Sequence, residues 1–161
     1  MTRPDPEGRR LLYLDDLAVG QRFGGGAVEL DEQAITAFAG EFDPQPFHLD
    51  EEAAAASLFG RLVASGWHTA AVTMRLQVEH LPIAGGLVGA AATVEWPRPT
   101  LPGDVLRIDA EILEVRPSRS RPDRGLVRVV TETSNQRGEV VQVVTATIVV
   151  PRRTEDVPLR Q

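Results

Sequence analysis

The chain of 161 residues contains neither cysteine nor lysine, and all 17 of its basic residues are arginine. The absence of cysteine excludes disulfide bonds, thiolate nucleophiles and cysteine-ligated metal sites. The absence of lysine excludes Schiff-base chemistry and the lysine-containing loop that binds nucleotide phosphates. Arginine is therefore the only permanently cationic side chain with which this protein can bind a phosphate or a carboxylate.

An excess of positive charge is also missing, because 23 acidic residues outnumber the 17 basic ones and the net charge is −6. A general nucleic-acid or anionic-membrane binder needs a basic surface, so we expect neither partner. No apolar run approaches the roughly 20 residues of a membrane span, and the N-terminus lacks the apolar core of a signal peptide. These features predict a cytoplasmic protein.

The two ends of the chain are polar, charged and contain proline. We therefore expect poorly ordered tails at residues 1–10 and 152–161. The remaining length, residues 11–151, suits a single domain with one hydrophobic core.

The first third of this domain contains signals for one strand and two short helices. The glycine triplet 24–26 predicts a turn that leads into a strand ending at Leu30. Asp31 is a suitable N-cap for a short helix, which Gly40 would end. Asp50, followed by two glutamates and four alanines, predicts a second short helix.

A longer helix is predicted from Ser65 onward. Apolar residues, among them Trp67, Met74 and Val78, recur there at spacings of three and four. This periodicity predicts that they face the core. Small residues in the same segment would let the helix lie close to a sheet.

The C-terminal half changes to a period of two residues in four runs, at 87–96, 104–115, 125–134 and 139–150. These runs are rich in valine, isoleucine and threonine, as strands are. Their connections are mostly short, which favours antiparallel pairing. An early strand, helices and then four strands predict an α+β domain rather than alternating βαβ units.

Residues 40–48, GEFDPQPFH, contain the pattern with the most chemical information. Asp43 and His48 are five positions apart, and Pro44 and Pro46 lie between them. Each proline restricts its own φ angle and the conformation of the residue before it. A stiff turn that presents a carboxylate and an imidazole is suited to acid–base catalysis. From the residues alone, a structural role is the preferred interpretation, in which Asp43 caps the turn and His48 packs in the core.

Aligned on Asp43, Pro46 and His48, this segment resembles the Asp-x-Asn-Pro-x-His signature of MaoC-like dehydratases, the R-specific enoyl-CoA hydratases of the hotdog fold. Gln45 stands where the family usually has asparagine, and Glu41 stands where it typically has glycine.

Two further stretches resemble the same family. Residues 64–69, ASGWHT, are similar to the segment that begins the hotdog helix. Residues 96–104, WPRPTLPGD, are similar to the turn before the third long strand. The resemblance covers residues 17–150 and implies an antiparallel sheet wrapped around a central helix.

The activity implied by the resemblance is reversible hydration of an enoyl-CoA to a 3-hydroxyacyl-CoA. Carried over by position, Asp43 and His48 form the acid–base pair, and the backbone N–H of Gly66 faces the thioester oxygen. The residues expected to contact the substrate around them are Ser65, Trp67, Phe47 and Gln45. The resemblance also implies a homodimer or higher homo-oligomer, with coenzyme A as part of the substrate and neither a metal nor a redox cofactor.

This chemistry needs a base that takes a proton from water, an acid that protonates the α-carbon and a donor for the enolate-like oxygen. Ordinary pKa values of about 3.9 for Asp and about 6.5 for His give a carboxylate and a largely neutral imidazole at neutral pH. Two other functions remain open: a hotdog thioesterase, which would release free thiol, and a non-catalytic acyl-CoA-binding module, which would bind without turnover.

A basic cluster interrupts the otherwise acidic chain before the last two strands. Guanidinium groups bind the phosphates of coenzyme A well. The same loop is rich in proline and serine, so we interpret it as a solvated connection. The members of the cluster are Arg116, Arg119, Arg121 and Arg124.

Overall fold

The computed structural model describes residues 8–153 as five strands, three α-helices and two short turns of 3-10 helix, at Leu14–Asp16 and Pro46–His48. The strands and helices in chain order are β1 Arg22–Leu30, α1 Glu32–Phe42, α2 Glu51–Ala55, α3 Gly66–His80, β2 Val88–Glu95, β3 Asp104–Pro117, β4 Arg124–Ser134 and β5 Val140–Pro151.

The five strands form one antiparallel sheet in the order β1-β3-β4-β5-β2. The hydrophobic core lies between α3 and this sheet, and Leu76 of α3 belongs to the same buried cluster as Ile108, Ile112 and Val127 of the strands. The predicted α+β class and the four C-terminal strands are confirmed, with strand ends within two residues of the predicted ones. No helix within residues 8–153 is long and apolar enough to cross a membrane.

The glycine triplet does not precede the first strand as predicted, because it lies inside β1 at a bulge between Gly25 and Val28. A Cβ atom at Gly25 would lie 2.9 Å from the ring of His80, and one at Gly26 would overlap Leu76. Both glycines also have positive φ angles, 144° and 90°. The triplet therefore lets the C-terminal end of α3 lie directly on β1.

Helix α1 begins as predicted, because the Asp31 carboxylate accepts a hydrogen bond from the N–H of Ala34 at 2.7 Å. It does not end at Gly40, but continues to Phe42. A glycine inside a helix costs only about 1 kcal/mol, so it does not stop the helix by itself. Pro44 supplies the stop, since it disfavours helical angles at the residue before it, Asp43.

Helix α3 begins at the predicted place, with the Ser65 hydroxyl accepting a hydrogen bond from the N–H of Trp67 at 3.2 Å. The prediction of its core-facing side was wrong. Trp67, Met74 and Val78 are 60%, 49% and 56% exposed. The apolar periodicity thus marks the outward face of the helix.

The side of α3 that packs on the sheet is largely polar. Thr69, Thr73 and Gln77 are buried there, and each bonds to a threonine outside the helix, two of which lie in β4 and one in the connection before β3. The partners are Thr100 for Thr69 at 2.9 Å, Thr133 for Thr73 at 2.7 Å and Thr131 for Gln77 at 2.8 Å. Polar side chains that satisfy one another can be buried without the usual penalty, and helical periodicity cannot detect this pairing.

The predicted tails fall mostly outside the described residues. At their inner ends, arginines pair with the acidic residues of the first 3-10 turn: Arg152 with Asp15 at 2.7 Å, Arg153 with Asp16 at 2.6 Å, and Arg10 with Asp16 at 2.9 Å.

Candidate active site

The two prolines after α1 return the chain toward the end of that helix. The N–H of His48 donates to the carbonyl of Gln45 at 3.0 Å, and the N–H of Gln45 donates to the carbonyl of Asp43 at 2.7 Å. This tight path brings His48 Nε2 to 3.4 Å from Asp43 Oδ2. The structure therefore brings together the two residues that the sequence singled out.

His48 is held in one orientation. The residue is 5% exposed, and its Nδ1 lies 2.7 Å from the carbonyl oxygen of Val63. Because a carbonyl only accepts, Nδ1 carries the hydrogen, and the neutral ring presents the lone pair of Nε2 toward Asp43. A lone pair and a carboxylate are both acceptors, so the pair is suited to hold a water molecule that donates to both.

The Asp43 carboxylate receives two further hydrogen bonds. The Ser65 hydroxyl donates to Oδ2 at 2.6 Å, and the Gln45 amide donates to Oδ1 at 2.7 Å. Burial raises the pKa of Asp43, but the bonds from Ser65 and Gln45, and the charge of His48 whenever its imidazole is protonated, together lower it below the ordinary value. Asp43 is therefore a carboxylate at neutral pH.

Gly66 lies in the first turn of α3, where a backbone N–H has no partner inside the helix. The indole of Trp96 covers this residue, and a Cβ atom on Gly66 would lie 2.7 Å from the ring. Gly66 is therefore required for the close approach of the indole. Its position at the helix N-terminus favours a negatively charged oxygen nearby.

These residues border a cavity of about 410 Å³. Six of the seven predicted site residues line it: Asp43, Gln45, Phe47, His48, Gly66 and Trp67. The seventh, Ser65, is fully buried and contacts Asp43. This placement suits Ser65 to orient the carboxylate, whereas the sequence led us to expect a contact with the substrate.

Sequence reasoning missed several residues of this cavity. Trp96 belongs to a stretch that carried the family resemblance, and that stretch was the available signal for it. Val63 acts through its backbone carbonyl, for which no sequence signal exists. Arg98 lies in the same stretch as Trp96, but sequence reasoning did not single out this arginine. Among the described residues that line the cavity, Arg98 alone carries a permanent positive charge.

The predicted basic cluster lies elsewhere. Arg116 lies near the end of β3, and this strand begins at Asp104, four residues after the cavity residue Thr100. A strand of this length separates its ends by roughly 40 Å at about 3.3 Å per residue. Arg124 pairs with Asp123 at 2.6 Å. Within residues 8–153 no group of three or more His, Asp or Glu is arranged to hold a metal ion.

Comparison with known proteins connects this geometry to a family. A family model described as "MaoC like domain" matches residues 17–136. The chain is 32% identical over 128 residues to the uncharacterized protein YdeM of Bacillus subtilis, covering 78% of this chain and 89% of that protein. It is 31% identical over 151 residues to 3-hydroxybutyryl-CoA dehydratase of Methylorubrum extorquens, covering 93% and 91%.

A solved structure agrees with the sequence comparisons. The MaoC-like dehydratase from Rhodospirillum rubrum superposes with a TM-score of 0.87 at 59% identity, covering 89% of this chain and 99% of that one. The chain therefore belongs to the MaoC-like family and has the hotdog fold.

Proposed function

We propose that this protein catalyses the reversible hydration of an enoyl-CoA to a 3-hydroxyacyl-CoA. One observation carries the proposal: Asp43 Oδ2 and His48 Nε2 lie 3.4 Å apart at the wall of a cavity, with each side chain fixed by other hydrogen bonds. Family membership and the 3-hydroxybutyryl-CoA dehydratase relative support this class of reaction.

In the proposed hydration, a water molecule held by the pair loses a proton to His48 Nε2. Its oxygen adds to the β-carbon, and the double-bond electrons move onto the thioester oxygen. The N–H of Gly66 stabilises this oxygen. The His48 imidazolium, held by the Asp43 carboxylate, then gives its proton to the α-carbon. The net change is one water added, and dehydration runs through the same steps in reverse.

We further propose that Arg98 binds the coenzyme A part of this substrate. Coenzyme A brings a diphosphate and a 3′-phosphate to an acidic protein, and a guanidinium group binds such oxygens in a bidentate manner. We assign Arg98 to these phosphates because it lines the same cavity as the acid–base pair.

The active form is proposed to be a homodimer. Strand β2 is at an edge of the sheet, and seven of its eight residues are exposed. It carries neither proline nor lysine, the residues that commonly protect such an edge from pairing. A second cavity, of about 340 Å³, joins β2 to the outward side of α3 at Met74. A second copy that pairs its own β2 here would cover both surfaces.

The test is a panel of acyl-CoA substrates incubated with wild-type protein. Loss of the ultraviolet band of the conjugated thioester, without release of free thiol, is the result that the proposal predicts for short or branched enoyl-CoAs. Free thiol released from saturated acyl-CoAs would instead establish a thioesterase. Binding without either change would establish a non-catalytic acyl-CoA module.

A further inference from the structure

Trp96 contacts the candidate oxyanion donor from outside its helix. The indole lies against the Cα atom of Gly66, and its Nε1–H is shared between the carbonyl of Gly66 at 3.1 Å and Oε1 of Gln142 at 2.8 Å. The residue is 30 positions from Gly66 in sequence, so this contact belongs to the tertiary structure and not to the helix itself.

The other partner of the indole is itself fixed. Gln142 is fully buried, and its Nε2 donates to the Thr73 hydroxyl at 2.9 Å. Thr73 also bonds to the Thr133 hydroxyl at 2.7 Å. Because Nε2 is committed to Thr73, Oε1 of Gln142 must face Trp96. A continuous chain of hydrogen bonds thus runs from the interior of the sheet to the first turn of α3.

We propose that Trp96, oriented by Gln142, is a positioning residue that holds the Gly66 peptide groups in place for the thioester oxygen. This inference rests on the proposed hydration. Stabilisation of a developing charge depends on a donor that is oriented before the reaction, since reorientation during the step costs free energy. The indole supplies that orientation and also forms the cavity wall beside Gly66.

The variant Trp96→Phe keeps an aromatic wall but removes the Nε1–H. Complete loss of an oxyanion donor lowers kcat by about 10²–10³. In Trp96→Phe the donor remains but the Gly66 peptide is less well oriented, so we expect kcat to fall by about 10- to 100-fold. KM should change less than about threefold, since the interaction is strongest in the transition state. Gln142→Met should likewise lower kcat with little change in KM. The double variant should be no slower than Trp96→Phe alone.

Gln77→Met is the matched control. Like Gln142, Gln77 has a buried side-chain amide, but Gln77 lies on the interior side of α3. Its Nε2 donates to the Thr131 hydroxyl at 2.8 Å, just as Nε2 of Gln142 donates to the Thr73 hydroxyl. None of its bonds within the described residues reaches Trp96 or Gly66. It should lose stability comparably to Gln142→Met while kcat stays within twofold of wild type.

A measurement without substrate separates this inference from the proposed reaction. Backbone ¹⁵N order parameters at Gly66 and Trp67 should be near 0.85 in wild type and clearly lower in Trp96→Phe and Gln142→Met, but not in Gln77→Met. If wild-type protein hydrates no enoyl-CoA, only the proposed reaction is refuted, and the role of Trp96 is not. Unchanged order parameters in Trp96→Phe, or equal loss of kcat in Gln77→Met and Gln142→Met, would overturn the role of Trp96.

Discussion

The two faces of α3 differ in a way that is the reverse of an ordinary amphipathic helix. The side against the sheet carries Thr73 and Gln77, whose polar groups are buried and bonded to the strands. The side away from the sheet carries Met74 and Val78, which are about half exposed. The hydrogen bonds of the inner face therefore fix the position of the helix on the sheet. The outer face presents an exposed apolar surface of the kind that another protein surface covers.

Among the changes that test the two faces of α3, the largest expected effect comes from placing charge on the outer face. Met74→Glu combined with Val78→Glu should convert the proposed dimer to a monomer of 17.5 kDa, because four carboxylates would be buried at its interface. Light scattering measures the mass. Val19→Glu is the control, since Val19 is an exposed apolar residue outside both faces. Retention of the wild-type mass by the double variant would show that this face is not the interface.

The next largest effect concerns Ser65, where α3 begins. Ser65→Ala removes a hydrogen bond to the Asp43 carboxylate, so the pKa of Asp43 should rise as burial becomes less opposed. We expect kcat to fall by about tenfold, the value of a bond to a charged group. The acidic limb of the pH–rate profile that reports protonation of Asp43 should move to higher pH.

Two further variants make this measurement selective. Ser65→Thr should restore the acidic limb, because it retains the hydroxyl. Ser57→Ala removes a serine hydroxyl that bonds to Ala54 near the end of α2, and it should leave the profile unchanged. An acidic limb at the same pH in Ser65→Ala and wild type would remove Ser65 from the orientation of Asp43.

The hydrogen bonds of the inner face can be removed by a substitution at Thr73. Thr73→Val keeps the shape but leaves the Gln142 amide and the Thr133 hydroxyl without this partner. Unsatisfied buried groups cost about 1–3 kcal/mol, so the free energy of unfolding in urea should drop by that amount. Thr36→Val, at an exposed hydroxyl on α1, should change it by less than about 0.5 kcal/mol. Equal small effects in both would contradict the polar inner face.

The smallest effect is expected at His68, where α3 meets α1. His68 stacks on Phe38 at 4.5 Å, and its buried Nδ1 has no hydrogen-bond partner among residues 8–153. Burial lowers the pKa of His68 below its ordinary value, so the unfolded chain takes up a proton at a higher pH than the folded protein. Wild-type stability should therefore fall as the pH drops below about 6.5.

His68→Phe removes this titration and keeps the ring stacking. Its unfolding midpoint should depend less on pH than that of wild type in the range from 7 to 5. Parallel midpoint curves for the two proteins would argue against a buried neutral His68.

The sequence predicted well those features that depend on local pattern. Alternation located the strands, and the two prolines with the family resemblance located Asp43 and His48. The sequence did not predict the hydrogen bonds between polar side chains that are far apart in the chain. The apolar period in α3 was real, but its polar side is buried because threonines from distant strands pair with it. Trp96 and Gln142 are 46 positions apart, and neither residue alone signals the bond between them.

The central claim is that Asp43 and His48 carry out the hydration, and variants of this pair test it most directly. The absorbance of the conjugated thioester should be followed after mixing crotonyl-CoA, and longer or branched enoyl-CoAs, with wild type, Asp43→Asn and His48→Gln. We predict loss of the band with wild type and rates lower by about 10²–10⁴ in both variants, the usual contribution of a general acid or base. Variants as fast as wild type would contradict the claim.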